Sequence, residues 1–278
     1  MWYLLLSGLF VIVLLILFLY MPYSKTKKEF NNVIENRVKS MSKTLEVFTE
    51  NDMINLPEPV QKYFKKCGYI GKPKMSYMKA YYKNVNFKMS PSKTIKIDHT
   101  QCNFVKRPER FAFINSNLYG IPFEGLDSYD CGIGRMKGVI AKIITLFDQR
   151  GAEMDRACLV TYLSESLIFP NAALQDFITW KEIDSTHAEA EISCYGISAS
   201  GVFTFDEDGL WRSFRTNDRI SVSMDGSERK APWSAIVEDY HQSNEIWVPR
   251  VVSSVWHYPE GDFIYFNENG SKILIEHY

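Results

Sequence analysis

The chain has 278 residues, with 33 acidic and 32 basic side chains and a formal net charge of −1. This balance gives no general attraction to nucleic acid, so we expect no nucleic-acid partner. Aromatic residues make up 14% of the chain and charged residues 23%, a composition that excludes disorder and suits strands around an apolar interior.

Residues 2–21 read WYLLLSGLFVIVLLILFLYM and carry no charged side chain. A helix of this length rises about 30 Å, the thickness of the bilayer hydrocarbon core. A cleaved signal peptide is one alternative, but no basic residue precedes the segment and no small-x-small site follows it. A buried core helix is the other, and it rarely carries aromatic belts at both ends. We therefore predict a single-pass anchor in the cell membrane over residues 1–23, with residues 2–21 in the lipid bilayer.

The residues after the anchor bear on its orientation. Six basic residues occur there with two acidic ones, Glu29 and Glu35. The basic residues are Lys25, Lys27, Lys28, Arg37, Lys39 and Lys43. The positive-inside rule then predicts that the globular part lies on the cytoplasmic side. Five scattered cysteines without a C-x-x-C pair favour a reducing compartment and indicate neither a disulfide framework nor a zinc site.

Residues 24–55 are predicted to form a juxtamembrane helix and linker, with the helix over residues 25–50. Apolar residues recur there at spacings of three and four: Phe30, Ile34, Val38, Met41, Leu45 and Phe48. Packing of this stripe on the globular part is favoured. Weak self-association through residues 30–48 is the alternative, although fewer than three heptads are available for a coiled coil. A short helix is predicted next, in LPEPVQKYFKKCG, ending at Gly68.

From Lys74 the hydrophobic period changes to two, which predicts strands. One helix interrupts them over residues 152–167, and further strands follow at 177–183, 188–195, 200–205, 210–223, 231–241, 246–258 and 262–277. Turns are predicted at 206–209, 225–226 and 269–270. So many antiparallel strands must curl to avoid long bare edges. We predict an α+β, mainly β fold: a transmembrane helix, then a domain over 56–278 in which a strongly curved antiparallel sheet, a half-barrel, has helix 152–167 packed across it.

Four segments in order carry a resemblance: LPEPVQKYF at 56–64, RPERF at 107–111, DQRGAEMDR at 148–156 and WHYPEG at 256–261. Together they resemble a family of uncharacterised bacterial proteins, a domain of unknown function, over residues 55–278. Lys62 stands where that family usually has arginine. The resemblance implies no reaction. It implies a layout similar to bacterial lipoprotein-carrier folds, curved sheets that shelter acyl chains.

Familiar catalytic and metal-binding motifs are missing from the sequence. It contains no G-x-S-x-G and no H-E-x-x-H, so we expect no metal site and no cofactor. Residues 206–209 mimic the start of a calcium loop, but Asn217 stands where the loop needs glutamate, so a turn is predicted. The glycine-rich segment 131–138 lacks the order of a phosphate-binding loop and is predicted to be a corner of the bent sheet.

Two groups of residues remain as candidates for a binding site. The first is a cluster on the predicted helix: Arg150, Glu153, Arg156, Tyr162 and Glu165. Its carboxylates either complement the helix dipole or face a ligand on the concave sheet. The second is a set of aromatic residues, Trp233, Tyr240, Trp256 and His257, which pack in a core or line a cavity for an apolar ligand.

Three functions follow from this sequence. The favoured one is a membrane-anchored, non-enzymatic module that binds a lipid or another apolar small molecule. The second is an enzyme that uses Glu153, Arg156 and Glu165 as acid, base or clamp. The third is a structural or signalling protein that docks a partner through the stripe at residues 30–48.

Overall fold

The computed structural model describes residues 2–41, 45–222 and 227–278. Its helices are α1 (Trp2–Tyr20), α2 (Lys25–Lys39), α3 (Glu58–Cys67) and α4 (Ala152–Glu165). Helix α1 is long and apolar enough to cross a membrane. No residue of α1 is buried against the rest of the chain, which excludes the buried core helix.

Helix α2 is shorter than predicted, since it ends at Lys39 and not at residue 50. Residues 45–49 are not helical, and a short 3₁₀ turn follows at Glu50–Met53, where the Asp52 carboxylate accepts the backbone N–H of Thr49 at 2.7 Å. Phe48 explains the difference. It is buried in the main core against the rings of Phe64 and Tyr69, so a long-range contact outweighs the helical period.

The apolar stripe of α2 packs on the sheet, as favoured above. Phe30 and Ile34 are buried against residues of three neighbouring strands: Cys102, Phe104, Phe111, Phe113 and Leu126. These side chains lie on the convex face, because their neighbours in the sequence point to α4 on the concave face. Leu45, by contrast, is 96% exposed and belongs to no packed stripe.

The described residues form sixteen strands. They are β1 (Tyr77–Ser90), β2 (Lys93–Phe104), β3 (Glu109–Leu118), β4 (Ile121–Asp130), β5 (Ile133–Ile140), β6 (Ile144–Gln149), β7 (Ile178–Asp184), β8 (His187–Cys194), β9 (Ile197–Phe205), β10 (Trp211–Thr216), β11 (Ile220–Val222), β12 (Glu228–Lys230), β13 (Trp233–Ser243), β14 (Ile246–Tyr258), β15 (Gly261–Phe266) and β16 (Ile273–His277). The main sheet has the order β6-β5-β4-β3-β2-β1-β15-β14-β13-β10-β9-β8-β7, and β16 also pairs with β1. Every neighbouring pair is antiparallel.

The sheet curves around α4. This helix contacts β4 and β5 in one half of the sheet and β8 and β9 in the other. β5 and β9 are nine positions apart in the strand order, about 43 Å along a flat sheet. A helix of 14 residues is only about 21 Å long. It reaches both halves because the sheet wraps around it, which confirms the predicted curved sheet with a helix across its concave face.

The two halves also meet directly at one end. The rings of Tyr129 in β4 and Tyr195 in the β8–β9 turn have centroids 6.5 Å apart. Gly132 lies in the β4–β5 turn with φ +85°, and a Cβ there would be 2.6 Å from the Cβ of Tyr195. The half-barrel is therefore closed at this end.

The glycine-rich segment at 131–138 forms this corner and the start of β5, as predicted. Gly134 lets the first turn of α4 approach the strand, because a Cβ there would be 2.5 Å from the Met154 carbonyl oxygen. The Asp155 carboxylate accepts the Gly134 backbone N–H at 2.7 Å.

The predicted turns at 206–209 and 269–270 are present, with Gly209 and Gly270 at positive φ. The turn at 225–226 lies outside the described residues. The predicted strand 210–223 is divided: β10 ends at Thr216, and β11 pairs with β12 in a separate two-stranded sheet. Asp218 marks the break, since its carboxylate accepts the Ser200 N–H at 2.8 Å.

Candidate functional site

A cavity of about 960 Å³ lies between α4 and the concave face of the sheet. Its walls come from both halves of the sheet and are mainly aromatic and aliphatic. They include Tyr82, Phe87, Ile95, Ile97, Ile114, Phe123, Met136, Phe147, Met154, Trp211, Trp233, Val252, Trp256, Tyr258, Phe263, Tyr265 and Phe266.

Strand alternation places these side chains. Along β14, every second residue from Val252 to Tyr258 lines the cavity, and along β2 every second residue from Ile95 to Gln101 does so. In β2 the character changes along the strand, from Ile95 and Ile97 to His99 and Gln101. The cavity is thus apolar towards one end and polar towards the other.

A buried polar network forms the deep end of the cavity around Arg110. Its Nε donates to the Glu165 carboxylate at 3.0 Å, and its Nη1 donates to the Asp127 carboxylate at 2.5 Å. Its Nη2 donates to Gln101 Oε1 at 3.2 Å. Glu165 Oε2 also accepts from the side-chain amides of Gln101 and Asn103, both at 2.7 Å. The network ties α4 to β2, β3 and β4.

The charges of this network explain how it stays buried. Burial disfavours the guanidinium charge, but Glu165 and Asp127 outweigh it, so the pKa of Arg110 is raised. Arg110 is 5% exposed, which leaves these carboxylates as its main source of stabilisation. Beside them, burial and then Asp127 raise the pKa of the Cys158 thiol, so it is not a reactive thiolate.

His99 lies next to the network and is 6% exposed. Its ring stacks on Tyr82, with centroids 5.3 Å apart, and meets the edge of Phe266 at 5.6 Å. Burial, and then the charge of Arg110, lower the pKa of His99 to about 3, so the imidazole is neutral at physiological pH. Among the described residues neither ring nitrogen has a hydrogen-bond partner. His99 therefore offers one donor and one acceptor to a cavity ligand.

Arg219 supplies a second cation to the cavity wall. Its guanidinium lies 4.5 Å from the ring centroid of Trp233 and 5.7 Å from that of Trp256. Its Nη1 donates to Thr161 Oγ1 at 3.0 Å. Within the part of the chain that the structure describes, no carboxylate forms an ion pair with it. A cation held by two indole rings can bind an anionic group of a ligand.

The exposed lining residues show where the cavity opens. They lie on the β1–β2 turn, on β12, and at the β14–β15 turn and the start of β15: Pro91, Arg229, Glu260, Gly261 and Asp262. Arg229 pairs with Glu260 through both guanidinium Nη atoms and lies 3.9 Å from the ring centroid of Tyr258. This ion pair joins two sides of the mouth.

The model of a family of unknown function, DUF6544, matches residues 46–268, which is most of the chain. The chain belongs to that family. The prediction of an uncharacterised family is confirmed, and the family assigns no activity. No curated protein matches this DUF6544 chain.

Two solved structures are similar to this DUF6544 chain. One is a LolA superfamily protein from Nitrosomonas europaea, 8% identical, with a TM-score of 0.41 and 79% of this chain and 93% of that chain covered. The other is a putative outer membrane lipoprotein-sorting protein domain from Vibrio parahaemolyticus, 10% identical, with a TM-score of 0.37 and 79% and 91% covered. At these identities and TM-scores, neither likeness assigns a role to this chain.

Four residues predicted for the site line the cavity of this DUF6544 protein, and five do not. Glu153, Glu165, Trp233 and Trp256 line it. Arg150 and Arg156 are exposed outside it. Tyr162, Tyr240 and His257 are held by hydrogen bonds elsewhere: Tyr162 O–H to the Phe104 carbonyl at 2.7 Å, Tyr240 O–H to the Trp211 carbonyl at 2.8 Å, and His257 to Asp262 and Ser234 at 2.7 and 2.8 Å.

The structure does not bring the predicted acid–base cluster together. Glu153 and Glu165 are twelve residues apart on α4, about 18 Å along the helix axis. Arg156 is exposed and does not line the cavity. A shared acid–base centre needs groups within hydrogen-bond reach of one substrate atom, which this spacing does not provide.

Among the described residues, one cluster has donor atoms close enough for a metal ion: Glu109, Asp130 and Cys131, within 4.8 Å of one another. The Arg37 guanidinium from α2 already lies among them, 2.9 Å from Glu109 and 2.5 Å from Asp130. Burial raises the pKa of Glu109, and Arg37 opposes that shift. The carboxylates therefore fix α2 to the convex face.

Proposed function

We propose that this DUF6544 protein is a membrane-tethered binding protein that holds a lipid or another apolar molecule between α4 and the sheet. The observation that supports it is the cavity of about 960 Å³ with aromatic and aliphatic walls. Small-molecule sites in proteins typically have about 300–1,000 Å³ and such walls, with a few polar groups that orient the ligand. Burial of an alkyl chain there gains about 0.8 kcal/mol for each methylene removed from water.

The polar groups inside the cavity favour an amphipathic ligand. Arg219 presents a cation without a carboxylate partner among the described residues, and His99 presents two unpartnered nitrogens. A hydrocarbon would leave these groups unsatisfied, whereas a carboxylate, phosphate or carbonyl group would pair with them. The ligand class we propose is therefore an alkyl chain with an acidic or carbonyl end.

In this proposal α1 is the tether. It is uncharged over its whole length, and its large apolar side chains are exposed, an arrangement that is costly in water and favourable in lipid. Because basic residues follow α1, the positive-inside rule predicts that the domain lies on the cytoplasmic side.

Photocrosslinking tests the proposal directly. The full chain is placed in lipid nanodiscs that contain a fatty acid with a diazirine in its alkyl chain, and adducts are located by peptide mass spectrometry after irradiation. We expect adducts on α1, which reports the bilayer, and on cavity peptides that contain Met154 and Phe263.

The matched variant A157F/A235F fills the cavity from α4 and from β13. It should lose the cavity adducts and keep those on α1. L274F, at an exposed position outside the cavity, should keep both. Adducts on α1 with none in the cavity of the natural protein would exclude an alkyl ligand at this site.

A further inference from the structure

The turns of two neighbouring hairpins carry exposed apolar side chains. Tyr119 in the β3–β4 turn is 90% exposed, and Ile143 beside β6 is 70% exposed. Ile121, Ile144 and Leu146 extend the same cluster. The hairpins are held together, since the Ala141 N–H donates to the Pro122 carbonyl at 2.8 Å. We call these residues, 119–121 and 141–146, the hairpin tips.

The hairpin tips lie at the end of α1. The Tyr20 hydroxyl donates to the Gly120 carbonyl at 3.4 Å, and Lys142 Nζ donates to the Met21 carbonyl. Just beyond, the Ser24 hydroxyl donates to the Glu124 carboxylate at 2.6 Å in a buried position. The apolar patch is thus continuous with the apolar helix and fixed relative to it.

Basic residues accompany this patch. Lys142 lies in the β5–β6 turn, and Lys93 begins β2 with its Nζ over the Tyr119 ring. Lys25, Lys27 and Lys28 follow in the first turn of α2. Apolar side chains that enter the interface and lysines that meet anionic headgroups reinforce each other, with about 1 kcal/mol for each basic residue near the surface.

The cavity mouth lies at the same edge of the sheet. Because the strands alternate in direction, the β1–β2, β3–β4, β5–β6 and β14–β15 turns share this edge. Two of these turns, at Pro91 and Gly261, border the mouth. Lys93 also lies 5.3 Å from the ring centroid of Tyr119, which links a mouth turn to the hairpin tips.

We infer that the hairpin tips are a docking surface for the lipid bilayer, which holds the mouth against the lipid. Continuity with α1 and the accompanying lysines select a bilayer as the occupant of this patch. Entry of a ligand straight from the membrane then follows, and that step rests on the proposed function.

Spin labels measure this docking without any cavity ligand. The full chain with C131S and C194S receives a nitroxide at I143C or at Y119C, and at I183C as the control, in phosphatidylcholine–phosphatidylglycerol nanodiscs. Ile183 in β7 is 52% exposed and lies at the far edge of the sheet. At 143 and 119 we expect collisions with oxygen to exceed those with a water-soluble nickel chelate. At 183 we expect the opposite.

Chelate accessibility at both 143 and 119 equal to that at 183 would overturn the docking surface. Cavity crosslinks that persist in that case would leave the proposed function standing. Labels in the lipid without cavity crosslinks would support the docking surface and contradict the proposed function. A further variant, I143D/I144D, should lower the crosslinking yield in nanodiscs and leave it unchanged in detergent, because the cavity itself is unaltered.

Discussion

Replacement of Arg110 by methionine tests whether the buried network holds α4 against the sheet. Methionine keeps most of the side-chain volume but removes the cation that neutralises Glu165 and Asp127. Glu165, 9% exposed, is then left as a buried carboxylate with two amide donors and no counter-charge.

Loss of one partner of a buried ion pair costs about 3–5 kcal/mol, because the remaining charge stays desolvated. Each kcal/mol corresponds to about 2–4 °C in a protein of 150–250 residues, so R110M should unfold about 6–20 °C lower. The exposed partner of an ion pair gives the control: Arg150 is half exposed beside Asp148, and R150M should cost less than about 1 kcal/mol.

The assay is urea unfolding of the full chain in a mild detergent, followed by tryptophan fluorescence, with the thermal midpoint as a second readout. The double variant R110M/E165M separates charge from packing. It should be more stable than the sum of the single variants predicts, because no unpaired Glu165 remains. Equal losses for R110M and R150M would refute the reasoning.

Three further predictions address other parts of the molecule. His99 has a pKa of about 3 in the folded protein and 6.5 in the unfolded chain, so the free energy of unfolding falls as the pH drops through this window. Between pH 8 and pH 5 the natural protein should lose about 2 kcal/mol more of this free energy than H99F. Equal losses in urea titrations would contradict this. G134A should lower the free energy of unfolding by about 1–3 kcal/mol in the same assay, because its Cβ meets the Met154 carbonyl. G8A in the exposed α1 is the control. An unchanged midpoint for G134A would show that α4 can shift freely. The exposed Cys131 should react with a membrane-impermeant maleimide in lysed cells and not in intact cells, and labelling of intact cells would reverse the predicted orientation.

Local signals predicted most of the fold. The hairpin turns at 206–209 and 269–270 and the positions of α3 and α4 follow from residues within a few places of each other, and the structure confirms them. The predicted end of α2 is wrong, because Phe48 is placed by its contacts with Phe64 and Tyr69, which the spacing of nearby apolar residues does not reveal. The curvature could be predicted because a long row of antiparallel strands must close.

The cavity was predicted only in part, for a different reason. His99 and Gln101 alternate along β2 like residues that face water. They are buried by distant partners: Gln101 donates to Glu165 on α4, and His99 packs on Tyr82 and Phe266. Arg110 stood in the RPERF segment without any local sign of its charge partners. The spacing along α4 did contain a signal, since Met154, Ala157, Cys158 and Thr161 share the cavity-facing side and Arg156 lies outside that series.

The Arg37 contacts of α2 have a mechanical consequence. Strand β3 holds Glu109 and Phe111 towards α2 and, between them, Arg110 towards the cavity. Helix α2 and the floor of the cavity thus contact opposite faces of the same strand, β3. With α1 in a bilayer as proposed, the cavity mouth keeps a fixed orientation relative to the lipid, because β3 itself connects α2 to the cavity. A force on α2 then reaches Arg110 in the cavity floor through a single peptide unit.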